Sequence, residues 1–278
     1  MLPMNPFMKR SDIVKATGAT MLGLVVVFPI YYAFSASFFT IGEFSTYPPT
    51  LFPSTLSLVN YIRALTESML ARFMVNSLVV SLVGSLLRMI VAILAAFAVA
   101  FLKFKGKQLL FFLVLGTMML PGDALIIENY LTISRLGLVD SYLGIMSVYL
   151  LAPVQMFMLR QSFKTIPLTY RESAAIDGCS DFKFLTSIVL PMSRPIVLTL
   201  SLHSFVTIWN TYLWPLLVTN NPEMRTVQVG ITMLGYADSL DYGPIFAAIS
   251  LLLLPSIIIF LLMRKKIVEG IASGAIVG

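Results

Sequence analysis

Three features of this sequence predict an all-α integral membrane protein of six transmembrane helices. Apolar residues make up 58% of the 278 and charged residues 12%, and the mean hydropathy is +0.90, a balance that a water-soluble chain of this length does not carry. The apolar residues are gathered in runs of the ~20 residues that cross a hydrocarbon core at ~1.5 Å per residue. The basic residues are distributed unevenly between alternate intervals. Of the 19 Lys and Arg, fourteen fall on one side (9, 10, 15, 103, 105, 107, 160, 164, 171, 183, 194 and 264–266), four on the other (63, 72, 135, 225), and Arg88 lies within a span. Basic residues collect on the cytoplasmic face, so both termini are placed inside. Residues 1–278 read as one transmembrane domain.

The first span is Ala16–Gly42, read as retained rather than cleaved, because its apolar run is longer than a signal peptide's and no small-x-small site ends it. Glu43–Arg72 follows as an external segment, where Pro48, Pro49 and Pro53 prevent a continuous helix. Phe73–Leu102 is the second span, stopped inside by Lys103, Lys105 and Lys107. Gln108 to about Tyr130 returns outward and is kinked at Pro121-Gly122-Asp123. Ile133–Asp140 is a short external connection, and Tyr142–Leu159 runs back in. Pro195 to about Val218 and Pro244–Met263 complete the six.

The longest charged interval, Tyr170–Pro195, must lie in water or against a partner. Glu172, Ala175 and Ile176 stand at helical spacing, Asp177-Gly178 is a stop, and Ser180 or Asp181 can cap a second helix to about Ile188. Pro191 and Pro195 limit that second helix. The prediction is two short helices about a glycine hinge.

Glu172-Ser173-Ala174, Ile176-Asp177-Gly178, Phe184, Ile188, Leu190-Pro191 and Pro195 resemble, in order and spacing, the EAA loop of ATP-binding-cassette (ABC) importer permeases. The resemblance implies the MetI-like permease fold. It also implies a cytoplasmic coupling loop over about 164–195 that docks on an ATPase subunit through Glu172, Ser173, Ala174, Ala175, Ile176, Asp177, Gly178 and Pro191. Ser173 and Cys179 depart from the usual alanines, but both are small. Leu136–Ser141, Trp209-Asn210 with Trp214-Pro215-Leu216, and Glu269–Ala275 are similar to the carbohydrate-type branch, of the maltose second-permease kind; glycerol-phosphate importers share most of these features. The resemblance runs from about Asn76 to Ser273. It implies as partners a homologous second permease, two ATP-binding subunits and an extracytoplasmic solute-binding protein, with this chain in the cell membrane.

Other classes lack their residues. No GxxxxGK[ST] is present, since Gly106-Lys107 is followed by Gln108, so ATP and its Mg2+ belong to the partner ATPase and this chain holds no cofactor. No HExxH or GxSxG occurs, and one cysteine and one histidine, His203, leave no disulfide and no metal cluster. His203 reads as a hydrogen-bonding partner for a neighbouring helix. The basic residues form no stripe with interleaved aromatics, which excludes nucleic acid. A stand-alone secondary transporter or channel is the alternative, and it would leave the docking string without a purpose. For the solute path the sequence offers Trp209, Asn210 and Tyr212, whose aromatic faces and amide suit a sugar, with Trp214 as an interfacial belt residue. It also offers Arg88, expected to pair with Asp123, or else Glu128, at the same depth.

Overall fold

Every element among the described residues is helical, as the hydrophobic pattern predicts, but only three of these helices are long and apolar enough to cross a bilayer in one piece: Val14–Ala36, Leu70–Phe101 and Tyr242–Leu261. The computed structural model describes residues 10–237 and 242–275, with side chains over 14–122, 124–233 and 242–261. Packing divides it into two units. One comprises the chain up to Leu70 with Ile231–Leu254, the other Ala71–Gly230 with the chain from Pro255.

In the first unit, Asn60 holds the chain where it leaves the Arg10–Ala36 helix. Its buried amide donates to the Ser37 and Phe39 carbonyls, at 2.9 and 2.8 Å. Those carbonyls lie just past the helix end, where the chain no longer supplies a regular helical donor. A Cβ on Gly243 would stand 2.5 Å from the Asn60 Oδ1, so this helix start approaches the amide closely. Ser250 Oγ donates to the Ala33 carbonyl at 3.2 Å, and Tyr32, Phe39, Phe44, Tyr242 and Phe246 form a connected set of ring contacts. The proline-rich stretch is non-helical from Thr46 to Leu58, as expected, but a short helix, Val59–Thr66, follows it.

Glu43 anchors that stretch. One carboxylate oxygen accepts from the Thr40 amide (2.7 Å) and hydroxyl (2.9 Å), the other from the Ser54 amide at 2.7 Å. Those backbone bonds favour the ionised form and hold its pKa down at about 2.

In the second unit, three of the expected spans are interrupted. The outward return is Lys107–Gly116, a 3-10 stretch to Met119, a break at Leu120-Pro121, a further 3-10 turn and then Ile126–Arg135. The inward run is Tyr142–Ser147 and Pro153–Lys164, with Pro153 starting the second piece, where its missing N–H is harmless. The fifth is Arg194–Trp209 and Leu213–Val218. Pro215 cannot donate back to Thr211, which helps to explain why no helix crosses 210–212.

Breaks inside an apolar protein are tolerated where their polar groups find partners. Asn76, fully buried, donates to the Glu223 and Arg225 carbonyls (2.7 and 2.9 Å) and accepts from the Tyr142 hydroxyl at 2.7 Å. Its neighbour Ser77 accepts from the Val227 amide at 2.8 Å, at the start of Val227–Ala237. Trp214 Nε1 donates to the Ile145 carbonyl at 3.1 Å. Trp214 is therefore a buried link between broken helices, and not the belt residue expected from the sequence.

Two expected outcomes test this packing. Substituting Gly230→Ala places a Cβ 1.9 Å from the buried Phe73 ring, and overpacking of this kind lowers stability by about 1–3 kcal/mol in denaturant or thermal unfolding of the purified protein. Glu43→Gln lowers the melting temperature relative to the parent at pH 5 and above. Because the folded carboxylate's pKa is depressed, that difference shrinks as pH falls below the ordinary value of 4.5 and disappears near 2.

Candidate docking and solute-path sites

The charged interval folds as the spacing predicts. Leu168–Ile176 is a helix, Gly178 takes φ +67°, and the chain reverses through two bonds, Gly178 N–H to the Ala175 carbonyl and Cys179 N–H to the Ala174 carbonyl, at 3.1 and 2.8 Å. This is the paired C-terminal closure that a left-handed glycine permits. Ser180 then caps the next helix, accepting from the Lys183 amide at 3.4 Å. Arg171 pairs with Asp181 across the hinge and stacks over the Phe184 ring at 4.9 Å. Phe184, fully buried, packs on Phe97 and Phe101. The hinge is thereby fastened to the end of the Leu70–Phe101 helix.

The second helix does not stop near Ile188. It continues to Met192 through a wider turn over Leu185–Val189, in which the Leu190 amide reaches back to the Leu185 carbonyl. Pro191 offers no N–H to Ser187, so a regular α-turn cannot be completed there. The true corner is at Ser193, where the chain bends by 86° into Arg194–Trp209.

Most of the sequence-predicted docking residues lie on the outside of this segment. Glu172, Ser173, Ala175, Ile176, Asp177, Gly178 and Pro191 are exposed, whereas Ala174 is buried against its own unit. A Cβ on Gly178 would meet nothing within 4 Å in this chain, so the local demand for glycine is the left-handed backbone alone. Ile176 is 87% exposed and Leu168 and Phe182 are 69% exposed. Phe182 was missed in the sequence, although an apolar side chain inside the charged interval is the signal that finds it; Leu168 lies just before that interval, where no such signal marks it.

The solute-path residues separate. Trp209 is buried at 1% exposure and stacks on Phe205 at 5.9 Å, so its ring is packing. Asn210 and Tyr212 are exposed at the break between helices, with the Asn210 amide donating to the Val206 carbonyl (2.8 Å) and accepting from Gln228 (3.4 Å). His203 is exposed and makes no side-chain hydrogen bond among the described residues, so the expected link to a neighbouring helix is not found.

Arg88 is half-buried and forms no ion pair among the described residues. Its Nη2 donates to Gln155 Oε1 at 3.4 Å, Gln155 Nε2 donates to Ser204 Oγ at 3.4 Å, and Ser204 reaches the Met89 sulfur at 3.8 Å. Gln155 and Ser204 are buried, and Arg88 Nε has no hydrogen-bond partner. Glu128, the alternative partner, is exposed on the Ile126–Arg135 helix, and the side chain of Asp123 lies outside the described residues. Gln155 and Ser204 were not singled out in the sequence, where a lone amide or hydroxyl in an apolar run carries little signal.

The chain belongs to the family of binding-protein-dependent transport system inner membrane components, whose model matches residues 88–267. It is a permease subunit, not an enzyme. Among its relatives is the sn-glycerol-3-phosphate transport system permease protein UgpE of Agrobacterium fabrum, 33% identical over 90% of this chain and 92% of the relative. The trehalose/maltose transport system permease protein MalG of Thermococcus litoralis is 32% identical over 94% and 95%. A chain of a bacterial ABC transporter involved in import of the acidic polysaccharide alginate superposes with a TM-score of 0.83 at 23% identity, covering 94% of this chain and 99% of that one. That likeness supports the fold.

A cycle of substitutions tests the Arg88 network. Gln155→Leu leaves the guanidinium short of an acceptor and lowers stability by about 1–3 kcal/mol. Adding Arg88→Met to it recovers most of that loss in thermal unfolding, since the unmet donor is then removed.

Proposed function

We propose that this chain is one permease of an ABC importer for a sugar, oligosaccharide or related polyol or glycerol-phosphate solute. The observation that carries the reading is the coupling segment. A hinge closed by Gly178 and fastened by Arg171 and Phe184 leaves Leu168, Ile176 and Phe182 in the open. Each such side chain adds about 1.5–3 kcal/mol when covered, so the segment is shaped to dock. Its partner is an ATP-binding subunit, which supplies ATP and Mg2+ while this chain holds no cofactor. Glu172, Ser173, Ala175, Ile176, Asp177, Gly178 and Pro191 meet that subunit, and Ala174 seats the helix that presents them.

The remaining partners are a homologous second permease, a second ATP-binding subunit and an external solute-binding protein. The alginate transporter has also been crystallised with its oligosaccharide-bound periplasmic protein, and this chain superposes there with a TM-score of 0.64. In our reading the interrupted helices complete six crossings, and both termini face the cytoplasm, where the basic residues collect. Asn210 and Tyr212 line the path, with Trp209 packed behind them. Arg88 stands beside the path with part of its guanidinium unclaimed, which suits an anionic solute such as a glycerol phosphate; Asp123 and Glu128 belong to the same region.

Gly178 is the decisive position. Asn tolerates the left-handed backbone, so Gly178→Asn separates a strain effect from a contact effect. Uptake and ATPase retention fall at least ten-fold in Gly178→Asp and clearly in Gly178→Asn, while the chain stays folded. Normal uptake with the ATPase still co-purifying in both variants refutes the docking assignment.

A further inference from the structure

The cytoplasmic end of the Leu70–Phe101 helix carries a feature that neither docking nor solute passage uses. Ala95 and Ala98 of that helix, Phe104 after it, Leu110 and Val114 of the next, and Met156 of Pro153–Lys164 enclose an apolar crevice of about 150 Å³. A cavity of that size holds about six carbon atoms. Phe104 and Leu110 are 42% and 48% exposed, so the crevice opens at the surface of its unit.

Three basic residues stand on the helices that line the crevice. Lys107 lies one turn before Leu110, and Arg160 and Lys164 lie one and two turns beyond Met156. Arg160 and Lys164 are each near enough to repel Lys107. Lys107 Nζ donates to the Ala100 and Leu102 carbonyls at 3.4 and 3.0 Å, which holds it at the end of the helix. Arg160 lies over the Phe111 ring at 4.0 Å, and its Nε is buried without a hydrogen-bond partner. Among the described residues none of the three forms an ion pair. Mutually repelling cations with spare donors, set beside an apolar slot, lack an anion that carries its own apolar chain.

We propose that this crevice binds an anionic phospholipid, with one acyl chain along Ala95, Ala98 and Met156 and its phosphate on Lys107, Arg160 and Lys164. The match is one of charge and shape together. Basic pockets between membrane helices on the cytoplasmic side attract anionic headgroups, and the slot supplies the apolar contact that a free phosphate cannot use. The inference assumes the orientation proposed above but does not depend on the solute.

The test uses the full chain assembled with its partner subunits in nanodiscs, with Phe104→Trp as reporter and the same assembly lacking that substitution as background. Brominated-acyl phosphatidylglycerol is expected to quench the reporter at about one-fifth of the mole fraction needed with brominated-acyl phosphatidylcholine, the selectivity one basic residue confers at a membrane surface. Lys107→Gln with Arg160→Gln brings the two lipids to parity, while Lys107→Arg with Arg160→Lys keeps the preference and shows that the fold tolerates change there. Ala95→Leu, which fills the slot and leaves the charges, also removes the preference. Equal quenching by both lipids in the parent overturns the proposal, as does a preference that survives the double glutamine variant. Loss of all quenching on assembly means that a protein covers the crevice, and competition by millimolar inorganic phosphate means a free-anion site; either result also overturns it.

Discussion

A backbone amide or carbonyl without a partner in hydrocarbon costs several kcal/mol, and that constraint shapes the second unit more than any other. Its helices break repeatedly, between Gly116 and Ile126, between Arg135 and Tyr142, between Ser147 and Pro153, and between Trp209 and Leu213. Each break releases polar groups, and several are met by specific side chains. Asp140, at φ +56°, donates its amide to the Val218 carbonyl and accepts from the Asn221 amide through its carboxylate. Ser141 caps Tyr142–Ser147 by accepting from the Gly144 amide. A Cβ on Gly144 would stand 2.1 Å from the Leu138 carbonyl oxygen, so only glycine allows this connection to fold back on itself. The stretch Leu136–Ser141, recognisable in sequence by resemblance alone, has in these contacts a physical reason for its residues.

Why some of this could be read from the sequence follows from where the determining interactions lie. The coupling segment is local: a stop at Asp177-Gly178, a cap at Ser180 and apolar spacing within each helix are all set by residues within five or six positions of one another. Long apolar runs are equally plain: the Leu70–Phe101 helix begins and ends within a few residues of its expected place, and the last begins two residues early at Tyr242, although its helix continues to Ala275, while the first ends at Ala36 rather than Gly42. The interruptions are different. Hydropathy does not distinguish a continuous crossing from two pieces sealed by a tryptophan 69 residues away, as Ile145 is by Trp214. In sequence Asn76 is one polar residue in a long apolar span, while its three bonds run to residues 66 to 149 positions distant.

Arg88 shows the same limit at the level of charge. Equal depth on two helices picks out charged groups that share a layer, but gives no signal for a neutral amide such as Gln155. The guanidinium meets the buried amide of Gln155, a neutral acceptor, and retains a donor without a partner. An amide disperses less charge than a carboxylate, so Arg88 keeps more of its field for other anions than it would in a closed ion pair.

In the reading proposed above, the coupling segment passes force between an aqueous partner and a membrane helix, and its construction fits that demand. Gly178 alone would make a loose hinge, because a left-handed glycine is permissive rather than rigid. Rigidity comes from the elements on either side. Arg171 ties the first helix to Asp181 and lies on Phe184, while Phe184 is buried against Phe97 and Phe101 of the Leu70–Phe101 helix. The second helix then continues through its wide turn to the 86° corner at Ser193, which is itself buried. On that proposal a push on the exposed Ile176 or Phe182 would not be absorbed at the glycine. The proposed route runs through one buried aromatic cluster to the Leu70–Phe101 helix and through the Ser193 corner to Arg194–Trp209, and these two helices supply Arg88 and Ser204 to the network around Gln155.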